Sequence, residues 1–217
     1  MDAPGILDLP KNRHSSKAKK TLVLSINQDN PQQRLINRVS EILERGGLIA
    51  YPTDTFYGIG CDLYNKKGIQ LIYRLKNRPL SKPFSFVCDS LKEISQYALV
   101  SNYAYKNMKR LLPGPYTFVL EGTRLVPKIM LTKRKTVGIR VPDNKICLAI
   151  VETLGRPVIS TSAGYDDFQS IKEAYGLYLD VVIDGGPLYP NPSSVVSLIN
   201  DMPEVIREGK GDVSSFL

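Results

Sequence analysis

Histidine is almost absent from this chain of 217 residues, which contains only His14. Ser–His–Asp and Cys–His catalysis both need an imidazole held beside a nucleophile. His14 lies in the basic polar stretch KNRHSSKAKK, and we expect residues 1–20 to form a flexible basic arm. The sequence therefore argues against a histidine-dependent hydrolase, and it predicts no metal-ligand set. Any chemistry is expected to rely on positioning and charge stabilisation.

Cysteine and long apolar runs are scarce as well. The three cysteines, Cys61, Cys88 and Cys147, are far apart and form no C-x-x-C pair, so we expect buried free thiols rather than a zinc site or disulfides. No apolar run approaches the roughly 18 to 20 residues of a membrane helix. The first residues, MDAPGILDLPKNRH, lack the apolar segment of a secretory signal. We expect a cytoplasmic protein with no membrane partner.

The familiar glycine-rich nucleotide motifs are also missing. The sequence contains neither G-x-x-x-x-G-K-[ST] nor G-x-G-x-x-G, so a nucleotide site here would be neither a P-loop nor a Rossmann turn. The formal net charge is nevertheless +8. Such a charge attracts nucleic acids, nucleotides and phosphorylated metabolites without choosing among them, and a solvated basic surface would give the same total.

Hydrophobic periodicity predicts one α/β or α+β domain over residues 21–217, with a twisted mixed parallel and antiparallel sheet and flanking helices. Strands and helices alternate without a strict βαβ order. The predicted strands are TLVLSI, LIAY, FSFVCD, YTFVLEG, TVGIRVP, RPVISTSAG, LDVVIDGG, SSVVSLI and PEVIRE. We expect PTDTFYGIGCD, which follows LIAY, to be a loop.

Capping patterns predict where several helices begin. Asn30 should cap a first helix that ends at Gly46–Gly47, and a second helix should run over about 67–77, before Pro79. Ser90 with Glu93, and Ser170 with Glu173, are spaced as capping boxes. The remaining predicted helices cover about 101–112 and, capped by Asp143, 145–154.

Two segments combine features of a binding site with an ordinary structural explanation. PTDTFYG follows a predicted buried strand, where ligands of α/β sheets gather, but it could also be a turn bonded by its own side chains. Lys76, Arg78 and Lys82 lie in a window, 66–82, without acidic residues. They suit carboxylate or phosphate oxygens, but they could also form a solvated helix end.

Further candidate segments lie later in the chain. Ser160 to Gly164 follow a predicted strand, and their small side chains would let a ligand approach the backbone, although a plain polar loop is the alternative. NPSSVV and the arginine of IREG are weak signals alone. A second acid-free basic window covers 124–140, and it too could be surface charge.

Taken together, these segments resemble one family, the YrdC/YciO-type threonylcarbamoyl-AMP synthases. The matching segments occur in the family's order over about residues 22–217. They are PTDTFYGIG, KNRP with KPF, LPGPYTFVL, VGIRVPDN, GRPVISTSA, NPSSVV and IREG. The C-terminal REGKGDVSSFL and the loop STSAGYDD are more similar to the YciO branch than to the YrdC branch.

The resemblance implies a YrdC-like fold with a basic concave surface, and a reaction. L-threonine and bicarbonate or CO2 form N-carboxythreonine, whose carboxylate attacks the α-phosphate of ATP. Threonylcarbamoyl-AMP and pyrophosphate result, and the tRNA threonylcarbamoyltransferase machinery passes the group to an adenosine of tRNA. Magnesium is expected with ATP as substrate, and no tightly bound cofactor is expected.

The resemblance also implies roles for particular residues. The catalytic candidates that hold carboxylate and phosphate oxygens are Lys76 and Arg78. The threonine-binding candidates are Thr53, Thr55 and Tyr57. The nucleotide-binding candidates are Lys82, Arg140, Ser160, Ser162, Ser194 and Arg207.

One position departs from the synthase pattern. The family's S-x-N motif reads Ser162-Ala163-Gly164 here, so the asparagine amide is absent. Two alternatives to full synthase activity follow. The chain could be a diverged YciO-type protein that binds nucleotide, double-stranded RNA or tRNA, or it could use another amino acid in the space beside Gly164.

Overall fold

The computed structural model describes residues 21–217 as ten strands that form one mixed sheet, with six α-helices. The strands are β1 Leu22–Ser25, β2 Ile49–Tyr51, β3 Gly58–Gly60, β4 Ser85–Val87, β5 Tyr116–Glu121, β6 Thr136–Arg140, β7 Val158–Ser162, β8 Val181–Asp184, β9 Ser194–Ser197 and β10 Glu204–Arg207. The helices are α1 Gln33–Glu44, α2 Lys66–Leu75, α3 Leu91–Tyr97, α4 Asn102–Leu111, α5 Lys145–Leu154 and α6 Phe168–Tyr175. The predicted fold class is confirmed.

The order of strands across the sheet is β1-β8-β2-β3-β7-β4-β6-β5-β9-β10. Four neighbouring pairs are parallel (β1–β8, β2–β8, β4–β6 and β5–β9), and the other five are antiparallel. Strands distant in sequence are therefore adjacent at the centre, and residues after β2, at the end of β7 and just before β9 reach the same part of the sheet.

Two apolar clusters hold the helices on the sheet. One contains buried residues of α1, α5, β1, β2 and β8, and the larger one contains buried residues of α2, α3, α4 and the central strands. Leu43, Ile72 and Phe86 are fully buried examples. Burying such a side chain contributes about 1.5 to 3 kcal/mol, so these clusters fix the strands that carry the polar residues described below.

The observed helix starts correct several predicted caps. The residue before α1 is Gln32 rather than Asn30, and its side chain makes no cap hydrogen bond. Asn144, not Asp143, accepts from the Cys147 N–H and caps α5. Asp167 caps α6, and Ser170, predicted as the cap, is instead the donor to it.

The other predicted caps mostly hold. Ser90 accepts from the Glu93 N–H as predicted, but Glu93 accepts from the N–H of Asp89, one residue earlier than a capping box requires. Gly155 ends α5 with φ +69°, a left-handed conformation that favours glycine.

The segment predicted as a loop after β2 contains a strand. Gly58–Gly60 forms β3, which pairs with β2 on one side and β7 on the other. A Cβ on Gly60 would lie 2.0 Å from the carbonyl oxygen of Ile159, so only glycine fits at this crossing. The glycines that suggested a loop are needed because the strands approach so closely.

Other predictions concern the cysteines and the termini. All three cysteines are free and buried, as expected, and burial raises the pKa of the Cys88 thiol well above its usual value. Within residues 21–217 every helix is too short or too polar to cross a membrane. The predicted arm, residues 1–20, lies outside the described residues.

Candidate active site

A cavity of about 530 Å³ opens on the face of the sheet between β3 and β10. Its polar lining is rich in hydroxyl groups and contains three arginines. The predicted site residues that line it are Thr53, Thr55, Tyr57, Arg78, Arg140, Ser160, Ser162 and Arg207. Three predicted residues, Lys76, Lys82 and Ser194, are not part of the lining. The topology thus brings together eight residues from five separate segments.

The two threonines after β2 are bonded to each other. Thr53 Oγ1 donates to the carbonyl of Phe56 at 2.6 Å, and it lies 3.1 Å from Thr55 Oγ1. Because the Thr53 proton is committed to Phe56, Thr55 must be the donor between the two hydroxyls. Both residues are about 98–99% buried, at 1% and 2% exposure. Neither hydroxyl has a proton left for a ligand, so this pair organises the wall.

Arg140, at the end of β6, is the buried cation of the cavity. Its Nη2 donates to Asp54 Oδ1 at 2.7 Å and to Thr55 Oγ1 at 3.1 Å. Asp54 also accepts from the backbone N–H of Asp143 at 3.2 Å. The side chain of Arg140 is only 10% exposed, yet its Nε is a buried donor without a partner among the described residues. Such donors are rare, because each costs about 1 to 3 kcal/mol unless a ligand or water accepts from it.

Tyr57 lines the cavity, and its hydroxyl is bonded to the backbone beyond β8. The hydroxyl donates to the carbonyl of Gly186 at 2.8 Å and accepts from the N–H of Gly185 at 3.1 Å. Burial raises the pKa of Tyr57 to about 12, so the phenol stays neutral. The side chain therefore joins the end of β8 to the cavity wall.

Arg207, on β10, forms the opposite wall with Ser193. Its Nε and Nη2 donate to the carbonyl of Ser193 at 3.0 and 2.8 Å, and the Ser193 hydroxyl lies 2.9 Å from that of Thr117. Burial, followed by the positive charge of Arg140, lowers the pKa of Arg207. Two arginines that repel each other across a cavity favour an anion between them.

Ser194 lies on the other side of its strand. It is fully buried, its hydroxyl donates to the carbonyl of Gly211, and it accepts from the N–H of Gly209. Side chains alternate along a strand, so Ser193 and Val195 line the cavity while Ser194 does not. In the segment NPSSVV, this alternation of side chains between the two faces of a strand could have indicated Ser193 as the lining residue.

Arg78 lies at the rim and is held by main-chain oxygens. Its Nε donates to the carbonyl of Lys82 at 2.6 Å, and its Nη2 donates to that of Pro83 at 3.1 Å. Its guanidinium lies 5.2 Å from the ring centre of Phe84. No carboxylate pairs with Arg78 within the described part of the chain. Its charge is thus oriented and still available.

Lys76 does not line the cavity and is instead bonded to the loop that follows β7 and to α6. Its Nζ donates to the hydroxyl of Tyr175 at 3.2 Å and to the carbonyl of Ala163 at 3.4 Å. Gly164, next in that loop, has φ +87° and open space where a Cβ would be. A Cβ at this position would therefore meet no atom within 4 Å, and asparagine is among the residues that tolerate this conformation.

Two residues that sequence reasoning did not select complete the site. Asp54 anchors Arg140, and Lys210 Nζ donates to the Asp54 carbonyl at 2.8 Å. Lys210 belongs to the segment after β10, which approaches so closely that a Cβ on Gly211 would lie 2.4 Å from the ring of Tyr116. In the sequence, Asp54 is the one acidic residue in PTDT and stands between two threonines, which could have indicated a role in the site. Nothing in the sequence pointed to Lys210.

Comparison with known proteins identifies the family. The Sua5/YciO/YrdC family model, described as "Telomere recombination", matches residues 41–209. The chain belongs to this family. The uncharacterised protein YciO of Escherichia coli is 44% identical over 200 residues, which are 88% of this chain and 97% of YciO. A crystal structure of E. coli YciO superposes with a TM-score of 0.86 at 43% identity, covering 91% of this chain and all of that one.

Other members of the Sua5/YciO/YrdC family carry a named activity. A threonylcarbamoyl-AMP synthase of Hydrogenovibrio crunogenus is 35% identical over 132 residues, 59% of this chain and 71% of that protein. The structure of Pyrococcus abyssi Sua5 complexed with L-threonine superposes with a TM-score of 0.81 at 26% identity, covering 87% of this chain and 58% of that one. The family thus includes both named synthases and the uncharacterised YciO.

Proposed function

We propose that this protein forms L-threonylcarbamoyl-AMP and pyrophosphate from L-threonine, bicarbonate or CO2, and ATP with magnesium. The observation that carries the proposal is Arg140, which lines a cavity with hydroxyls and two further arginines and whose buried Nε has no partner among the described residues. A substrate carboxylate would accept from it. The L-threonine complex of a Sua5 with a TM-score of 0.81 supports the same ligand.

The two halves of the cavity suit the two parts of the product. The half around Arg140 would hold the amino-acid carboxylate, with Asp54 and Thr55 keeping the guanidinium in place. The other half has apolar side chains against which a nucleobase could pack, and these belong to Val119, Pro192, Val195 and Ile206. A volume of about 530 Å³ lies within the usual range of small-molecule sites.

The chemistry requires a cation at each charged oxygen. A carbamate oxygen of N-carboxythreonine attacks the α-phosphorus, a P–O bond forms, and the bond to the pyrophosphate oxygen breaks. Arg78 and Arg207, the other two arginines of the lining, would neutralise the charge that builds on the phosphoryl oxygens. No step requires an imidazole. The product would then serve tRNA threonylcarbamoyladenosine modification.

The test is a reaction with purified protein, ATP, magnesium, L-threonine and bicarbonate. Pyrophosphate release and the adenylate mass are followed together, and reactions without threonine, without bicarbonate or with L-serine serve as controls. We expect a threonine-dependent adenylate. ATP binding without any threonine-dependent product would overturn the proposal, and equal rates with L-serine would overturn its amino-acid specificity.

A second candidate is a diverged protein that binds double-stranded RNA or tRNA without the chemistry. The observation that favours it is Lys76, whose Nζ is bonded to Tyr175 and Ala163 and does not line the cavity. Arg207→Ala, which removes a cation of the cavity lining, distinguishes the two candidates. Product formation should fall sharply if the protein is a synthase. The second candidate would be supported if the variant lost RNA affinity only modestly. RNA affinity should then fall steeply with salt for the variant and for the unaltered chain alike.

A further inference from the structure

The two acid-free basic windows of the sequence meet at one edge of the sheet. β4 and β6 are parallel neighbours, with Ser85 paired to Gly138, so the segments that precede both strands leave the sheet on the same side. Lys82 and Lys135 each lie three residues before that pair. The end of the first window therefore runs beside the part of the second window that precedes β6, although about 50 residues separate Lys82 from Lys135 in sequence.

The second window contains, just before β6, a fixed turn that presents three consecutive cations. The Lys135 N–H donates to the carbonyl of Thr132 at 2.9 Å, and the Thr132 N–H donates to the carbonyl of Thr136 at 3.1 Å. The two threonine hydroxyls are 2.7 Å apart. Lys133, Arg134 and Lys135 are all exposed, and Lys135 has φ +59°. The turn holds a lysine where asparagine or glycine would be less strained.

This turn borders the cavity directly. Thr132 and Thr136, at its two ends, line the cavity, and Arg78 and Pro83 line it from the neighbouring segment. One acidic residue lies beside this turn, because Glu121 of β5 is paired with Thr136 and is exposed. Like charges so close together are unfavourable unless an anion lies among them.

We infer that this basic rim binds the pyrophosphoryl group of the nucleotide, that is, its β- and γ-phosphates before reaction and pyrophosphate afterwards. The basic rim comprises Arg78, Lys82, Lys133, Arg134 and Lys135. The inference rests on the proposed function. If the α-phosphate reacts inside the cavity, the leaving group must extend toward its mouth, where these cations lie. The rim occupies one turn and the loop between α2 and β4, which suits a compact polyphosphate better than the long charge track of a nucleic acid.

The test compares two triple variants with equal loss of charge. The rim variant is Lys133→Gln, Arg134→Gln, Lys135→Asn, in which asparagine suits the left-handed conformation and Arg78 remains. The control variant is Arg34→Gln, Lys106→Gln, Lys109→Gln, which removes exposed cations of α1 and α4 that do not line the cavity. Circular dichroism and thermal melting first establish that both variants fold. Calorimetric titrations then measure binding of inorganic pyrophosphate and, separately, of AMP.

We expect the rim variant to lose at least about tenfold in pyrophosphate affinity, with AMP affinity within about twofold. The control variant should keep both affinities. Equal losses of pyrophosphate and AMP binding, an equal loss in the control variant, or no pyrophosphate binding by the unaltered chain would each overturn the inference. So would a rim variant that binds pyrophosphate normally but no longer binds duplex RNA.

This experiment is independent of turnover. If the unaltered chain makes no threonine-dependent adenylate, the proposed function fails. A selective tenfold loss of pyrophosphate affinity in the rim variant would still establish the rim as a polyphosphate site. If the adenylate forms and the rim variant binds pyrophosphate normally, the proposed function stands and the rim inference fails.

Discussion

The two cationic ends of the cavity are built in different ways. Arg140 is buried, paired with Asp54 at 2.7 Å, and connected through Thr55 to Thr53. Arg78 is exposed and held only by two main-chain oxygens and an aromatic ring. The first end is part of the folded core and is ready before any ligand arrives. The second end contributes charge and little stability, so we expect the two to respond very differently to substitution.

The largest expected effect is that of Asp54→Asn, which removes the countercharge of Arg140. Breaking one partner of a buried ion pair typically costs about 3 to 5 kcal/mol, because the other charge is left buried. We expect the free energy of unfolding to fall by about 3 kcal/mol and threonine binding to be lost. Urea denaturation and calorimetry measure the two effects.

The control for this variant is Asp62→Asn. Asp62 pairs with Arg156 at 2.6 Å, but the arginine is 30% exposed and the pair does not line the cavity. It should lower stability less and leave threonine binding unchanged. An Asp54→Asn protein as stable as the unaltered chain would show that the Arg140 end is not part of the core.

Arg78→Ala should have little effect on stability and a large effect on the rate of adenylate formation. Exposed side chains contribute within about 0.5 kcal/mol to stability, so the melting temperature should hardly change. Removing one group that stabilises developing charge typically costs about 100-fold or more in rate, and we expect adenylate formation to fall by about that factor. The matched control is Arg74→Ala, an exposed arginine of α2 outside the lining. A large drop in melting temperature in Arg78→Ala would reveal a structural role instead.

Gly164→Asn restores the side chain of the synthase pattern and should have the smallest effect. The position has φ +87° and no neighbour within 4 Å of a Cβ, so the fold should tolerate it. One regained hydrogen bond is worth about 1 to 3 kcal/mol if its partner is otherwise unpaired, so we expect adenylate formation to rise by about tenfold.

Gly155→Asn is the control for that change, because Gly155 has φ +69° and equally open space but precedes β7 instead of following it. It should leave the rate unchanged. An unaltered rate in Gly164→Asn would mean that the loop after β7 is organised differently from that of the synthases.

The sequence predicted the fold class and most strands because each depends on a local apolar pattern. β3 was missed because its glycines let it lie close to both β2 and β7, which no local pattern displays. The predicted cap residues of α1, α5 and α6 were wrong for a similar reason. Several polar residues stand near each helix start, and tertiary packing decides which of them takes the role.

The candidate site was predictable as a set of segments, but the use of each side chain was not. Thr53, Thr55 and Tyr57 line the cavity, yet their hydroxyls are bonded within the protein. The bond between Lys210 and the Asp54 carbonyl joins residues 156 positions apart. Such contacts follow from the order of strands in the sheet, which no segment of the sequence specifies alone.

A crystal structure of the protein with L-threonine would test the role of the Arg140 end most directly. We predict density for the amino acid in the cavity, with its carboxylate within hydrogen-bonding distance of Arg140 Nε. Threonine bound elsewhere, or a cavity that stays empty at saturating threonine while Arg140 Nε bonds only to water, would contradict this explanation of the unpartnered donor.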